Sequence, residues 1–308
     1  MPRYFRIVLG RLNSYAETCH AGGFVGADFD VFEDLTERLP ENWKEFNSRY
    51  IPIVMMNNPA KTKIGAGLAC GMLWTVSKGI QIGDVVLSPT GSKNYYVGVV
   101  TSGYEYAHEG PLQHRRRVEW MSVNIERERM SDALRHSTGS IGTVAEITKY
   151  TAELEGLISP KPGLEISVTD PTVEDPSVFA LESHLEEFLV ANWAQTPLGQ
   201  NYDIYEEDGI VAGQQYPTDT GPLDILAISK DGQELLVVEL KKGRTSDSVV
   251  GQIQRYMGYV KEELAEPNQK VRGVIIALED DLRIKRALSV TSNIDFYRYE
   301  VRFNLMKS

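Results

Sequence analysis

The stretch GPLDILAISKDGQELLVVELKKG, residues 221–243, decides how this chain is read. Two β-type runs, PLDILAIS (222–229) and ELLVVELK (234–241), are joined by Lys230-Asp231-Gly232, and an Asp-Gly pair between apolar runs is a strong hairpin signal. Each run carries an acid where a strand should carry an apolar residue: Asp224 lies between Leu223 and Ile225, Glu239 between Val238 and Leu240. A lone buried carboxylate is costly, so both positions call for a cation or a metal. Glu239 and Lys241 are two apart, which aims both at one face of their strand. Asp224, on the partner strand, can face them.

An Asp followed 15 positions later by Glu-x-Lys across a hydrophobic hairpin resembles the signature of the PD-(D/E)XK nuclease superfamily. The resemblance implies that Asp224 and Glu239 ligate Mg²⁺, with Leu240 as a further metal-holding position and Mn²⁺ able to substitute. It implies that Lys241 orients or activates the attacking water. The chemistry agrees, because phosphodiester hydrolysis needs hard oxygen ligands, a metal-lowered water pKa and a cation near the developing charge. The plainer account is a buried Glu239–Lys241 pair beside a surface Asp224, and short motifs of this kind arise by chance.

The flanks add to the resemblance. Residues 178–193, VFALESHLEEFLVANW, place apolar side chains near helical spacing, with Glu182 and Glu186 on one face. In the superfamily a Glu from this leading helix commonly completes the site; Glu186 is favoured, Glu182 is close behind, and Glu187 suits a solvated face. Downstream, SDSVVGQIQRYMGYVKEEL (246–264) opens with Ser246 or Asp247 as a cap and puts Gln252 and Tyr256 four apart on one helix face. This Q-x-x-x-Y resembles an accessory motif that positions phosphate or water beside the metal. The span from about 178 to 305 resembles the C-terminal nuclease domain of the NucS/EndoMS endonucleases, and the front of the chain departs from them.

At 308 residues the chain exceeds the usual single-domain size, so two domains are expected: residues 1–158, a linker over 159–177 with four prolines, and residues 178–308. No apolar run reaches the ~20 residues that span a bilayer, and the start lacks a signal peptide's apolar region. Two cysteines, Cys19 and Cys70, outside any C-x-x-C argue for a reducing cytoplasm and against a zinc site. The net charge of −11 is uneven: residues 1–158 hold 17 Lys and Arg against 18 Asp and Glu, residues 159–308 hold 15 against 25. Local basic patches therefore matter more than the total, and the clearest is His114-Arg115-Arg116-Arg117.

The first half is expected to be a compact α/β module with strands at 4–10, 84–89, 94–106 and 116–123 and a helix over 65–79 ended by Gly79. QIGDVVLSPTGSKNYYVGVVTSGYEY (81–106), with HRRRVEW and ALRHSTGSIGTV, resembles the barrel-like PUA or EVE modules at the front of Mrr-like restriction proteins. Such modules often read an extruded, sometimes modified, base. A base reader needs stacking surfaces and a few edge donors. Trp43 and Tyr104 are taken as candidate base contacts, Arg115, Arg116 and Arg117 as phosphate contacts, and Asp28, Asn42 and Ser102 as polar groups. Gly22, Gly23 and Gly26 would let backbone approach a ligand.

The expected fold is thus α/β (α+β), a barrel-like front module followed by a mixed-sheet nuclease domain. The expected function is an Mg²⁺-dependent DNA endonuclease with a restriction or defence role, its front module selecting DNA by a modified or flipped base. A NucS-like repair enzyme acting on mismatched or branched DNA is the alternative, a non-cleaving nucleic-acid sensor is another, and a homodimer is left open.

Overall fold

The computed structural model describes residues 2–299 apart from 91–92, 140–141, 160–184, 208, 245–247 and 280–281. The chain divides into two compact units, Met1–Val173 and Glu174–Ser308. The expected cap at Ser246 or Asp247, Glu182 and most of the 159–177 segment lie outside the described residues, as does the Lys242 side chain.

The first unit runs β1 (Tyr4–Ile7), α1 (Ala16–Gly22), β2 (Phe24–Ala27), α2 (Trp43–Asn57), α3 (Lys63–Trp74), β3 (Val85–Pro89), β4 (Asn94–Val100), β5 (Glu105–Tyr106), β6 (His114–Glu126), α4 (Asp132–Gly139), β7 (Val144–Glu146) and α5 (Thr151–Ile158). Its sheet has the order β2-β6-β4-β3-β1-β7, with β5 also on β6. The β1–β3 pair is parallel and the other ladders are antiparallel. The long β6 turns the sheet: His114–Arg117 pair with β2, and Val118–Glu126 with β4. Phe5, Ile7, Phe24, Val25, Val86 and Val118 fill the core beneath it.

Two local expectations needed revision, and one helix was not anticipated. The 94–106 run breaks after Val100 and resumes only at Glu105. The helix placed at 65–79 starts at Lys63, where Thr62 caps the Gly65 N–H at 3.0 Å, and passes into a π turn from Thr75 to Gly79. Helix α2, to which the sequence reading assigned no element, contains Pro52. Its cap, Asn42, takes the Glu45 N–H at 3.0 Å, and Phe46, Tyr50 and Val54, four apart, are fully buried against α3 residues such as Ala66 and Leu73. Tertiary burial of that stripe, ~1.5–3 kcal/mol per large side chain, offsets the hydrogen bond that Pro52 cannot make.

The second unit runs α6 (185–191), β8 (Tyr202–Ile204), β9 (Glu206–Glu207), β10 (Ile210–Val211), β11 (Gln214–Tyr216), β12 (Leu223–Ser229), β13 (Glu234–Arg244), α7 (Ser248–Tyr259), β14 (Lys270–Glu279), α8 (Leu282–Leu288) and β15 (Ile294–Arg298). The sheet order is β11-β12-β13-β14-β15, with β8 also on β12. The β12–β13 hairpin is antiparallel, and β13, β14 and β15 run parallel. Its turn is built as the Asp-Gly signal requires: Asp231 Oδ1 accepts from Ser229 Oγ and the Gln233 N–H, and Gly232 takes φ +73°. One face of the sheet, including Ile225, Leu236, Val238, Leu240 and Val274, packs under Leu185, Leu189 and Val190 of α6. On the other face Gly273 admits α7: a Cβ there would stand 2.6 Å from Met257 Sδ and 2.9 Å from Ile253 Cδ1. No described helix is long and apolar enough to cross a membrane.

Candidate active site

The register of three strands assembles the site. Ile225 pairs with Val238 and Gln214 with Ile225, so one position further along Asp224 lies between Glu239 on β13 and Gln215 on β11. Residues opposite each other across antiparallel strands share a face. Gln215, Asp224 and Glu239 therefore form one polar row across an otherwise apolar sheet.

Each acid in the row is held. Glu239 is 2% exposed, and its Oε1 receives the Lys241 ammonium at 2.8 Å, while the Lys241 side chain keeps 30% of its surface in solvent. Asp224 Oδ2 accepts the Leu240 main-chain N–H at 2.7 Å, and its Oδ1 accepts from Gln215 Nε2 at 3.2 Å. The Asp is thus tied into the row rather than placed on the surface. Glu186, on α6, is buried; Gln214 Nε2 donates to its Oε1 at 2.7 Å and Gln215 Nε2 to its Oε2 at 2.6 Å. The Gln215 amide thus joins an acid from the helix to an acid from the sheet.

Tyr256, buried on α7, bonds to the Gln252 side chain four residues earlier. Burial pushes its phenol above the ordinary range; the Gln252 bond opposes that, the charges of Glu239 and Asp224 add to it, and Lys241 opposes it. All four named partners lie close enough to act on the one hydroxyl. Of the expected residues, Asp224, Glu239, Lys241, Gln252 and Tyr256 thus lie near one another, and Glu186 is linked to Asp224 through Gln215. Sequence reasoning missed Gln214 and Gln215. The available signal was the polar pair in GQQYPTDTGPLD, just ahead of the first acid.

A position of β11 so close to β12 depends on Gly213. A Cβ there would stand 2.1 Å from the Leu226 carbonyl oxygen, so only glycine lets the short strand reach this register.

Carboxylate oxygens are hard donors suited in kind to Mg²⁺ or Mn²⁺. Among the described residues no three acidic, His or Cys groups converge closely enough to hold an ion. The Gln215 amide stands between two of the acids that would have to do so.

The basic cluster of the first unit is a different case. Arg116 is 4% exposed and donates to the main-chain oxygens of Val76 at 2.8 Å and Ser77 at 2.7 Å, so it is part of the interior and not a phosphate contact. Arg115 donates to Leu112 O at 2.8 Å and Pro111 O at 2.6 Å and lies over the Phe24 ring. Arg117 is exposed and pairs with Glu105 at 2.9 Å. Tyr104 is tied to the buried His114, its hydroxyl 2.8 Å from Nδ1, and so braces the fold rather than offering a free ring. Trp43, half-buried, meets Trp74 edge-on at 6.2 Å. The proposed base-edge groups are also engaged: Asp28 accepts the Leu112 and Gln113 N–H groups, Asn42 caps α2, and Ser102 accepts the Arg117 N–H. Gly26 serves strand packing, since a Cβ would stand 2.6 Å from the His114 carbonyl oxygen.

Comparison with known proteins gives two separate matches, one in each half of the chain. Residues 182–307 match the family model described as the endonuclease NucS C-terminal domain, so the resemblance of the second half to the NucS nucleases holds. Residues 6–148 match a domain of unknown function, DUF8426, a description that names no activity. Endonuclease NucS of Pyrococcus abyssi is 29% identical over 136 residues, covering 42% of this chain and 52% of that protein. Endonuclease NucS of Corynebacterium glutamicum is 36% identical over 109 residues, covering 34% and 41%. The chain thus spans about half the length of the curated relatives it matches. Among solved structures, a repair endonuclease from Pyrococcus abyssi aligns with a TM-score of 0.32 at 17% identity, over 70% of this chain and 65% of that one.

Proposed function

We propose that this chain is a divalent-metal-dependent DNA endonuclease of repair type, acting on mismatched or branched duplexes. The observation that carries the reading is the row in which Asp224 faces Glu239 with Lys241 on its carboxylate, inside a segment that matches the NucS C-terminal domain. Mg²⁺ or Mn²⁺, when bound, would supply Lewis-acid polarisation of the phosphate and a water of lowered pKa. Asp224 and Glu239 would hold it, with Glu186, joined to Asp224 through the Gln215 amide, as the further acid, and with the Leu240 N–H fixing the Asp224 carboxylate. Lys241, partly in solvent, would hold the attacking water and stabilise charge on the scissile phosphate. Gln252 and the Tyr256 hydroxyl would orient phosphate or water beside the acids.

The repair reading is preferred to restriction or defence because the matching half is NucS-like, whereas the front half matches a family with no described activity. Three of its proposed DNA contacts, Arg115, Arg116 and Tyr104, are also engaged inside the fold. The test is cleavage of matched, mismatched, branched and base-modified duplexes by the full chain with and without Mg²⁺. Cutting that needs metal, prefers mismatched or branched DNA, and disappears in Asp224→Ala is expected. Cutting confined to modified DNA would restore the restriction reading, and binding without any cutting would make the chain a sensor.

A further inference from the structure

We infer that Gln215 is a built-in stand-in for the metal: its amide N–H₂ group holds Glu186 and Asp224 together in the metal-free protein and must leave when a cation enters. The inference deepens the metal-dependent reading above and rests on it.

The first observation is position. One nitrogen, Gln215 Nε2, lies 2.6 Å from Glu186 Oε2 and 3.2 Å from Asp224 Oδ1. Two carboxylates in a poorly solvated site repel each other, and an NH₂ group with two N–H bonds can donate to both and offset the repulsion without adding charge. The amide orientation follows from its neighbours, since the oxygen in that place would set three acceptors together with no proton among them. The second observation is the backbone. Gln215 has φ +50°, a left-handed conformation that is unfavourable for a residue with a side chain, in the middle of a three-residue strand. The flanking pairs Gln214–Ile225 and Tyr216–Leu223 and the close approach at Gly213 hold it there. The fold thus keeps a strained residue in order to put that amide between those acids. The third is that Gln214 independently secures the other oxygen of Glu186, so the helix acid stays in place when Gln215 withdraws.

A cation bound by Glu186 and Asp224 needs the space and the lone pairs that Nε2 occupies. The amide therefore stabilises the metal-free state only, and by linkage anything that stabilises only that state weakens metal binding by the same factor. Gln215→Ala should lower the melting temperature of the metal-free chain and lower the Kd for Mg²⁺, or for Mn²⁺ as a probe, by roughly tenfold, the worth of one charge-assisted hydrogen bond. Gln215→Glu, equal in size, should show both effects more strongly, with Mg²⁺ restoring its melting temperature.

The experiment is calorimetric titration of MgCl₂ and MnCl₂ into the full-length protein and the two variants, with melting curves with and without metal. Tighter binding together with lower metal-free stability supports the stand-in role. A Kd raised or unchanged in Gln215→Ala overturns it, the raised value because Gln215 would then be a ligand or a simple brace. If Gln215→Ala does not fold, the Glu variant alone decides by the same signs. Wild-type protein that binds neither ion overturns the metal-dependent reading as well; wild-type binding without tightening in the variants overturns only the stand-in.

Discussion

Two strands of this chain carry consecutive charges, β6 in the first unit and β13 in the second, and they put them to opposite use. On β6 the guanidinium groups end on carbonyl oxygens of their own unit or on one exposed carboxylate: Arg116 on Val76 and Ser77, Arg115 on the 109–112 turn, Arg117 on Glu105. On β13, Glu239 is at least as buried as Arg116, but it pairs with the partly exposed Lys241, and the neighbouring acids meet side-chain amides, Asp224 together with the Leu240 N–H. A carbonyl of a π turn cannot move away without unmaking the fold. A lysine or a glutamine side chain can. Arg116, bound to main chain, is spent on the fold, whereas Glu239 and Glu186, whose partners here are side chains, can exchange those partners.

The sharpest way to break that comparison is Lys241→Met. If the ammonium serves the reaction, metal-dependent DNA cleavage should fall by roughly 10³-fold or more, while Mg²⁺ binding persists, because the metal-holding groups are carboxylates. Cleavage assays with parallel calorimetry check it. Loss of metal binding together with activity would make Lys241 a structural partner of Glu239 and place β13 beside β6.

On the other strand the expected effect is on stability. Arg116→Met removes two buried hydrogen bonds and strands the Val76 and Ser77 carbonyls, a cost of about 2–4 kcal/mol. Arg117→Ala breaks a pair whose side chains are 53% and 40% exposed, and should cost no more than about 1 kcal/mol. Urea unfolding of both variants measures the contrast. Equal costs would mean that burial does not distinguish the two arginines.

The smallest effect concerns His114, buried between β6 and the loop at Val31. Its Nε2–H donates to Val31 O at 2.7 Å, which leaves Nδ1 to accept from the Tyr104 hydroxyl at 2.8 Å. The ring is neutral, and burial lowers its pKa below the ordinary 6.5. In that case the unfolded chain takes up a proton before the folded one does. The contribution is whole above about pH 6.5 and declines as pH falls from there toward the folded value. Stability measured from pH 7.5 to 5 should slope downward, and His114→Gln should flatten the slope. An unchanged slope would show that other groups set the acid response.

The hairpin and its two acids were legible because each cue is local: the Asp-Gly turn sets the register, and the period of two sets the face. The Gln252–Tyr256 pair was legible for the same reason, since four residues make one helical turn. Helix α2 was not, because Pro52 argues against it and only packing on α3 overrules the local rule. The destinations of the arginines were not legible either: Arg116 finds its acceptors some 40 residues away in sequence, in the π turn that follows α3.

The sequence alone thus determined that a nuclease-like pair of acids with a lysine stands on one hairpin of a mixed α/β chain, since neighbouring residues dictate turn, alternation and helical spacing. Tertiary structure decided which charges end on the fold's own main chain, as Arg116 does, and which meet side chains, as Glu239 does. It also decided that Gln215, on a short strand brought in by Gly213, would lie between Glu186 and Asp224. That choice depends on which donor reaches a given carboxylate first, and donors arrive from segments whose separation along the chain carries no record of their distance in space.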